Sequence, residues 1–543
     1  MVLKRNAVAR WVLAASLLVA GSCAPASQGN LVNPAAPYDA KEAEKTLAFG
    51  FGTIVERHLE RFDAAAIALE GMHGLATLDP EISVMRIGDR ITLSAPDRRV
   101  AEYPVPAADD VDAWARLTVT VALDARTMSA AVRDAPVEKI YEAVFDATLS
   151  KLDVFSRYAG AKEARDHRAA RNGFGGIGIK YDLAEGGAVA RITEVMEESP
   201  AGRAGFKVGD TISRIDGEPV SGLDKDGISS RLRGSVGSDI HLTVAGASAA
   251  ARQVTLHRAL IVPETVTASI HDGYAEFKIS NFNQRTASSL ATQLKAARTQ
   301  LGAAIKGVVL DLRGNPGGLL DQAVQAADLF IADGPIVWTK GRHPLASQSY
   351  EARRGDIGED LPVVVLVDGR SASAAEILAG ALEDAGRAVV IGTNSYGKGT
   401  VQTVIRLPND GEMTLTWSRF YTPSGYALHG LGVLPTICTF DSAIGADTVV
   451  DGLVHATVPA PVTARMAQWR TAKLEDTDLR KQLRSSCPAA RHADSPVEMQ
   501  VAERLLGDHA VFGQALALSA PSEPPVAGKK APVAAGTAQQ VLH

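Results

Sequence analysis

The sequence predicts a multidomain α+β protein, and three features of the chain support that prediction. At 543 residues the chain is too long for one hydrophobic core, so roughly three or four domains are expected. Residues 38–165 and 445–519 carry apolar side chains at helical spacing. Residues 166–262 are rich in glycine with short β-branched runs, and residues 263–440 alternate strand-like and helix-like segments. We therefore expect an N-terminal mostly helical region, a small β-rich module, an α/β domain with a largely parallel sheet, and a C-terminal helical extension.

The first 23 residues are typical of an export signal. Lys4, Arg5 and Arg10 precede the short apolar run WVLAASLLVAGSC, which is too short to span a membrane comfortably. Two outcomes stay open: a lipid attached to Cys23, which would be the protein's only link to a membrane, or cleavage nearby and a mature chain without lipid. Either outcome predicts an exported protein of the periplasm or cell envelope.

The composition excludes some partners. The net charge is −6 and no long run of one charge occurs, so no basic surface for nucleic acid is predicted. The histidines and cysteines show no metal-binding spacing, and we expect no metal and no cofactor. Cys438 and Cys487 are a candidate disulfide, because disulfides form in exported proteins; two unrelated buried thiols are the alternative. Residues 520–543 are rich in alanine and proline and are predicted to be disordered.

The first two structured parts have simple local patterns. In the N-terminal region the segment ISVMRIGDRITLSA alternates apolar and polar residues and predicts a hairpin between helices. In the β-rich module the segment GISSRLRG predicts one short helix between strands. In the C-terminal extension Ser495 and Glu498 have the spacing of a capping box and predict a helix start.

The α/β domain is predicted from alternating strands and helices. The runs YAEFKI, GVVLDL, PVVVLVD and AVVIG are short and mostly apolar, as expected for strands buried on both faces. Segments such as QRTASSLATQLKAARTQLG between them have apolar residues on one helical face. Crossover helices of this kind connect parallel strands.

Residues 391–402, IGTNSYGKGTVQ, contain a lysine whose function must be decided. Gly392, Gly397 and Lys398 match the phosphate-loop spacing G-x-x-x-x-G-K-[ST], but Gly399 stands where Ser or Thr belongs. The residues that follow are β-branched and predict a strand, so no helix N-terminus is available to bind phosphate. A nucleotide site is therefore not predicted.

A lysine between glycines can instead act as a general base. Burial lowers the pKa of a lysine, and the neutral amine can then accept a proton. Ser371 and Ser373 lie where a predicted buried strand meets a helix, a position that suits a nucleophile because helix N–H groups can stabilise an oxyanion. The alternative is structural: Ser373 and Glu376 have capping-box spacing, and Ser371 could be an N-cap.

The segment SASAAEILAGALED followed by SYGKGTVQ resembles the C-terminal processing, or tail-specific, peptidases, which are serine peptidases with a Ser-Lys dyad. The resemblance implies that Ser373 is the nucleophile, Lys398 the base and Gln402 its assistant. The segment GVVLDLRGNPGGLLDQAV is also similar to the family, and implies an oxyanion hole formed by the backbone N–H of Ala374 with that of Gly317 or Gly318. The likeness covers about residues 150–440.

Thr436 departs from the family pattern, which commonly has Asp at that position. This departure concerns the local structure rather than the dyad.

The β-rich module is similar to a PDZ domain, on the segments FGGIGI and SPAGRAGFKVGDTISRIDG. That resemblance implies that Gly176, Ile177, Gly178 and Ile179 receive a peptide C-terminus, whose carboxylate binds backbone N–H groups while the peptide adds a strand to the sheet. Protein substrates with unstructured apolar C-termini are the expected partners.

Two alternatives accompany this reading. His429 with Asp384 could form a different catalytic pair, but no nucleophile-elbow pattern accompanies them and a structural histidine is favoured. The chain could also be an inactive PDZ-containing scaffold of the cell envelope. We expect an exported serine endopeptidase that cleaves proteins near their C-termini, and the sequence leaves open whether its N-terminal helices form a homodimer.

Overall fold

The computed structural model describes residues 38–519 except 96–99, 185–186, 247–249, 354, 356, 359, 441–444, 456–459 and 493–494. The predicted signal segment, residues 1–23, and the predicted disordered tail, residues 520–543, lie outside the described residues. Within the described part of the chain, no helix is both long enough and apolar enough to cross a membrane.

The N-terminal part packs helices around a small antiparallel sheet. The predicted hairpin is confirmed: Ser83–Ile87 pairs with Arg90–Ser94, and Val100–Pro104 adds a third strand. Phe51 and Trp114 are fully buried in the core of this part, since they lie on the inner faces of their helices. The helices are Ala40–Arg57, Ala64–His73, Val111–Met128, Ala130–Asp134 and Val137–Ser150, with a 3₁₀ turn at Gly74–Thr77.

The β-rich module is an antiparallel sheet with a short helix, as predicted. Its strand Ile179–Leu183 lies at one edge of the sheet, and the helix Lys225–Leu232 packs nearby. The helix Ala161–Asn172 leads into the module, and Phe174–Gly176 pairs with Ala259–Ile261 at its exit. The other elements are Ala190–Val195, Pro200–Arg203, Thr211–Ile215, Glu218–Pro219, Asp239–Ala245 and Arg252–His257.

The α/β domain contains the predicted, largely parallel sheet. Its first strand, Val266–His271, is antiparallel to its neighbour, and every later pairing in the sheet is parallel. In sheet order the following strands are Tyr274–Ile279, Gly307–Asp311, Val363–Val367, Ala388–Gly392 and Ile437–Cys438. The helices Thr286–Leu301, Leu320–Asp328 and Ala374–Asp384 cover one face.

Part of the C-terminal extension covers the other face of this sheet, whereas Trp469 and Leu483 of the extension join the core on the first face. Val364 and Ile391 point to that face and pack with Leu505 and Phe512 of the extension, whereas Val365 and Val390 belong to the core on the opposite face. This two-sided burial explains the continuous apolar runs of the strands. The helices of the extension are Ala446–His455, Ala460–Thr471, Thr477–Ser485, Val497–Gly507 and His509–Ser519.

The helix predicted to start at Ser495 begins at Val497, and its capping box does not form. Glu498 is instead fully buried and accepts hydrogen bonds from the Thr439 hydroxyl at 2.7 Å and from His492 Nδ1 at 2.7 Å. The carboxylate is used mainly in this internal network.

A second sheet of five strands includes the segment that follows the lysine-containing turn. The strand Thr400–Arg406 confirms the prediction of a strand after the lysine-containing turn, and it pairs with Glu412–Tyr421. Ile405 and Met413 of these strands pack into the N-terminal core, so the N-terminal helices are joined to the α/β domain. The remaining strands of this sheet are Arg157–Ala159, Pro335–Gly341 and Gln348–Glu351.

Candidate active site

Three loops meet at the carboxyl edge of the parallel sheet. They follow the neighbouring strands Gly307–Asp311, Val363–Val367 and Ala388–Gly392, which are parallel and adjacent. The first loop contains Gly317 and the second contains Ser373. Lys398 ends the third. Carboxyl ends of parallel strands are the usual place for a site in such sheets, so the fold itself collects these residues.

The structure separates the roles of the two candidate serines. Ser371 is fully buried, and its hydroxyl donates to the Leu312 carbonyl at 2.8 Å while accepting the N–H of Asp368 at 2.9 Å. Ser373 precedes the helix Ala374–Asp384 with φ 55° and ψ −114°. Positive φ is strained for a residue with a side chain, and such strain concentrates at functional sites. Ser371 therefore supports the loop, and Ser373 has the conformation expected of a presented nucleophile.

Glu376 holds both serine and lysine segments in place. Its Oε2 accepts the backbone N–H of Ser373 at 2.7 Å and that of Lys398 at 2.9 Å. Its Oε1 accepts the N–H of Gly397 at 2.6 Å and the hydroxyl of Ser395 at 2.5 Å. Three of the four partners are backbone N–H groups, and the fourth is a hydroxyl. The three backbone N–H groups can only donate and favour the ionised carboxylate, whereas complete burial raises the pKa of Glu376.

The sequence pattern around Glu376 predicts only a helix cap and does not reveal this wider role. The capping pattern was the available signal, and the bond from the Ser373 N–H is indeed of that kind. The bonds to residues 395–398 depend on the packing of two loops and leave no local sequence pattern.

Lys398 is partly buried, and its pKa is lowered. Burial is the main cause, and the positive charge of Arg157 adds to it, whereas Glu376 and Asp153 oppose the shift. Nζ of Lys398 lies 5.2 Å from the centre of the Phe155 ring. Within the described residues the amine makes no hydrogen bond, so it does not contact the Ser373 hydroxyl in this state. A lysine with a lowered pKa has a larger neutral fraction near pH 7, and only the neutral amine can accept a proton.

Gln402 lies on the strand Thr400–Arg406 but does not contact Lys398. Its Nε2 donates to the hydroxyls of Thr400 at 2.9 Å and Thr416 at 3.4 Å. The predicted trio of Ser373, Lys398 and Gln402 is thus brought to one edge of the fold, without a direct hydrogen bond joining its side chains.

The two glycines considered for an oxyanion hole differ in the structure. The N–H of Gly317 already donates to Asn315 Oδ1 at 2.8 Å. The N–H groups of Gly318 and Ala374 donate to no described residue. A Cβ on Gly317 would stand 2.8 Å from Ser373 Cβ and 3.0 Å from the Ala374 nitrogen, so this turn packs directly against the serine. The geometry favours Gly318 and Ala374 as the pair of free donors.

Comparisons with known proteins agree with this geometry. Residues 273–439 match Peptidase family S41, and residues 191–246 match a PDZ domain. A carboxy-terminal-processing protease of Bartonella bacilliformis is 37% identical over 303 residues, covering 55% of this chain and 69% of the relative. The chain belongs to Peptidase family S41. It is a serine-type peptidase with a PDZ domain.

Other relatives of the S41 peptidase are more distant. A probable CtpA-like serine protease of Staphylococcus saprophyticus is 32% identical over 306 residues, which cover 56% of this chain and 61% of that protein. Among solved structures, the photosystem II D1 C-terminal processing protease matches with 22% identity and a TM-score of 0.36, covering 72% of this chain and 92% of that one.

The N-terminal part of the S41 peptidase contributes to the surroundings of Lys398. Phe155 faces the amine, and its ring also meets the ring of His429 edge to face, with the centres 6.2 Å apart. Asp153 accepts hydrogen bonds from His58 Nε2 at 2.9 Å and from the Thr416 hydroxyl at 3.1 Å, which fixes this segment against the strand. No functional residue was predicted in this region. The segment lies more than 200 residues before the lysine, and a contact over that distance leaves no local sequence pattern.

His429 and Asp384 do not form a catalytic pair in the S41 peptidase. Asp384 is buried and accepts from Arg470 Nε at 3.0 Å and from the Ser424 hydroxyl at 2.6 Å. Burial lowers the pKa of His429, and nearby arginines add to the shift.

The turn at Gly399 has no room for the Ser or Thr of a phosphate loop. A Cβ on Gly399 would stand 1.9 Å from the backbone nitrogen of His429.

The departure at Thr436 has a local explanation. Its hydroxyl donates to Glu383 Oε1 at 3.0 Å, and burial raises the pKa of Glu383 to about 8. An aspartate at position 436 would place a second carboxylate beside a buried one, which is unfavourable. Threonine supplies a donor instead.

The predicted peptide-binding residues lie at the start of the edge strand of the PDZ domain. Ile177 is buried. Gly178 has φ 80°, and a Cβ added to it would lie 2.1 Å from Ser199 Cβ. Ile179 begins the strand Ile179–Leu183. From that strand the Tyr181 hydroxyl reaches the helix Lys225–Leu232 and contacts Ser229 Oγ at 2.7 Å. Gly176 pairs with Ala259 in the short two-stranded sheet.

The sulfurs of Cys438 and Cys487 are bonded in the structure, 2.10 Å apart. Across the described ranges, no cluster of three or more His, Cys, Asp or Glu residues could hold a metal ion.

Proposed function

We propose that this S41 peptidase is an exported serine endopeptidase that cleaves protein substrates near their C-termini, with Ser373 as nucleophile and Lys398 as base. The observation that carries the proposal is the Glu376 carboxylate, which accepts the backbone N–H groups of both residues. One buried group thus fixes the nucleophile and the base relative to each other. The relative from Bartonella bacilliformis is a carboxy-terminal-processing protease, which supports the C-terminal position of cleavage.

The proposed reaction uses a small movement of the lysine. The amine leaves the Phe155 ring and accepts the proton of the Ser373 hydroxyl, which attacks the substrate carbonyl. The N–H groups of Gly318 and Ala374 stabilise the oxyanion, and the protonated lysine then gives its proton to the leaving amine. Water hydrolyses the acyl-enzyme with the same base. Gln402 orients Lys398 once its amide turns away from Thr416.

The PDZ domain is proposed to bind the substrate tail. The strand Ile179–Leu183 has an unpaired edge, to which an extended peptide can add as a further strand. Gly176, Ile177, Gly178 and Ile179 precede or begin that strand and would bind the terminal carboxylate through backbone N–H groups. Apolar tail residues would then pack between the strand and the helix Lys225–Leu232.

Export is supported by the signal-like residues 1–23 and by the disulfide between Cys438 and Cys487, which forms readily in oxidising compartments. The mass of the mature N-terminal peptide distinguishes a lipid on Cys23 from simple cleavage. Light scattering of the purified chain tests the homodimer.

The test compares wild type with Ser373→Ala, Lys398→Ala and the control Lys340→Ala, whose side chain is exposed. The substrate is an unfolded reporter with an apolar C-terminus, together with the same reporter carrying a C-terminal amide. We expect the first two variants to bind the tail without cleaving it, whereas the control retains wild-type activity. Cleavage by wild type should rise with pH as Lys398 loses its proton, with a midpoint below the usual lysine pKa.

Normal cleavage by Ser373→Ala or Lys398→Ala would refute the mechanism. Tail binding by wild type without any cleavage would instead support the scaffold function. That outcome would agree with the missing hydrogen bond between Lys398 and Ser373.

A further inference from the structure

The loop formed by residues 427–432 packs directly against the turn that carries Lys398. The N–H of Gly430 donates to the Gly397 carbonyl at 2.8 Å. On the other side of the lysine, Gly399 lies so close to this loop that its Cβ position is 1.9 Å from the His429 nitrogen. Both neighbours of Lys398 therefore contact the 427–432 loop, and a shift of the loop would move the lysine.

The outer side of the 427–432 loop is held by the C-terminal extension. Arg480 donates to the carbonyls of Ala427, at 3.0 Å, and His429. Arg484 donates to the Leu431 carbonyl at 2.9 Å, and Trp469 Nε1 donates to that of Gly432 at 3.2 Å. Most carbonyls of the loop thus accept a hydrogen bond from the helices Ala460–Thr471 and Thr477–Ser485.

The two arginines are bound to backbone oxygens rather than to acids. Arg480 is 5% exposed, and burial lowers the pKa of both guanidinium groups. Among the described residues, neither forms a salt bridge within 4 Å. A buried cation without a carboxylate is costly unless its donors are satisfied, and here carbonyl oxygens of the loop supply acceptors. Nη1 of Arg484 also occupies the space beside Gly397, 2.9 Å from its Cβ position.

The chain after Arg484 is attached to the roots of both catalytic loops. The Ala490 carbonyl accepts the N–H of Gly369 at 2.7 Å and the hydroxyl of Thr393 at 3.0 Å. Gly369 lies just before the serine loop, and Thr393 begins the lysine loop. The disulfide from Cys487 to Cys438 fixes the start of this segment.

We propose that the helices Ala460–Thr471 and Thr477–Ser485 form a clamp that sets the position of Lys398, with Arg480 and Arg484 as positioning residues. This inference rests on the proposed function, in which Lys398 is the base. The clamp lies outside residues 273–439, which match the peptidase family. The extension therefore completes the active site of this chain rather than adding a separate module.

The test compares Arg484→Met, Arg484→Lys and Arg480→Met with Lys481→Met, which removes an exposed charge from the same helix. For Arg484→Met we expect kcat to fall roughly 10- to 100-fold, as for a small misplacement of a catalytic group, with KM within about twofold. The pH midpoint of kcat should move up, because water reaches a less tightly held lysine. Arg484→Lys should recover part of kcat, since lysine can donate to the same carbonyl. Lys481→Met should match wild type.

Active-site titration of each variant separates positioning from folding. If kcat per titrated site and the pH midpoint of Arg484→Met and Arg480→Met equal those of Lys481→Met, the clamp is refuted, even when the yield of folded protein falls. Ser373→Ala and Lys398→Ala are measured in parallel. Activity in Lys398→Ala would refute the proposed function and the clamp together. An inactive Lys398→Ala beside fully active arginine variants would refute the clamp alone.

Discussion

Replacing Glu376 by glutamine tests whether one carboxylate joins the serine and lysine loops. The amide keeps the shape of the side chain but has one acceptor oxygen in place of two. In the most favourable orientation that oxygen still accepts the N–H groups of Ser373 and Lys398, and the new NH₂ faces Ser395. The N–H of Gly397, which now donates at 2.6 Å, then loses its acceptor.

The magnitude follows from these changes. An unsatisfied buried N–H costs about 1–3 kcal/mol, and two charge-assisted hydrogen bonds that become neutral lose about 1 kcal/mol each. We therefore expect Glu376→Gln to lower the free energy of unfolding by about 3–5 kcal/mol. The two loops also lose their common anchor, so kcat should fall roughly 100-fold.

Glu383→Gln is the matched control, because Glu383 lies on the same helix and is also buried. Burial raises the pKa of Glu383 to about 8, so at pH 7 the group is mostly protonated and glutamine resembles it. We expect normal kcat, and a change in stability within about 1 kcal/mol at pH 5, where ionisation of the unfolded wild-type chain still costs little.

The control also has a defined pH dependence. The pKa of Glu383 is raised above its unfolded value of 4.5, so the folded state binds the proton more tightly. Wild-type stability should then fall as pH rises from about 5 to 8, by at most about 1.4 kcal/mol per pH unit, and Glu383→Gln should remove this slope.

Urea unfolding of the full chain between pH 5 and 8, with kcat on a tailed peptide, measures both variants. If Glu376→Gln is as stable and active as Glu383→Gln, then Glu376 is protonated in the folded protein. The assignment of four donors to its oxygens would then be wrong.

Two further changes test other contacts. Gly399→Ser restores the phosphate-loop consensus, but its Cβ would stand 1.9 Å from the His429 nitrogen, so we expect lost peptidase activity and no ATP binding in a calorimetric titration. Gly513→Ser, where nothing lies within 4 Å of the Cβ position, should leave activity unchanged, and an active Gly399→Ser would contradict the packing argument. The double variant Cys438→Ser/Cys487→Ser removes the disulfide, which joins residues 49 positions apart. Its free energy of unfolding, measured in urea, should fall by up to about 4 kcal/mol. An unchanged urea midpoint would show that the link contributes nothing.

Much of the architecture could be predicted from local sequence. The parallel sheet is visible in short apolar strands such as Val363–Val367, and the strand after Lys398 in a β-branched run. These patterns depend only on residues close together in the chain. The family was identifiable for the same reason, since its motifs are short and contiguous.

The site was less predictable, because its decisive contacts join distant segments. The four bonds to Glu376, the Phe155 ring beside Lys398 and the arginines behind the 427–432 loop depend on tertiary packing. The preference for Gly318 over Gly317 as a proposed donor also needed structure, since it rests on the bond from Gly317 to Asn315. The sequence could name the residue types but not their partners.

The C-terminal extension is synthesised after the strands that it covers, and this order affects when the sheet can finish folding. The proposed nucleophile Ser373 and base Lys398 are synthesised before residues 445–519. One face of their sheet, including Val364 and Ile391, stays uncovered until Leu505 and Phe512 are made. Domains begin to fold during synthesis, with N-terminal parts first. A chain interrupted before the extension would therefore carry the proposed catalytic residues on an incomplete sheet. The apolar face that these strands share is buried only when the last helices of the described chain have been made.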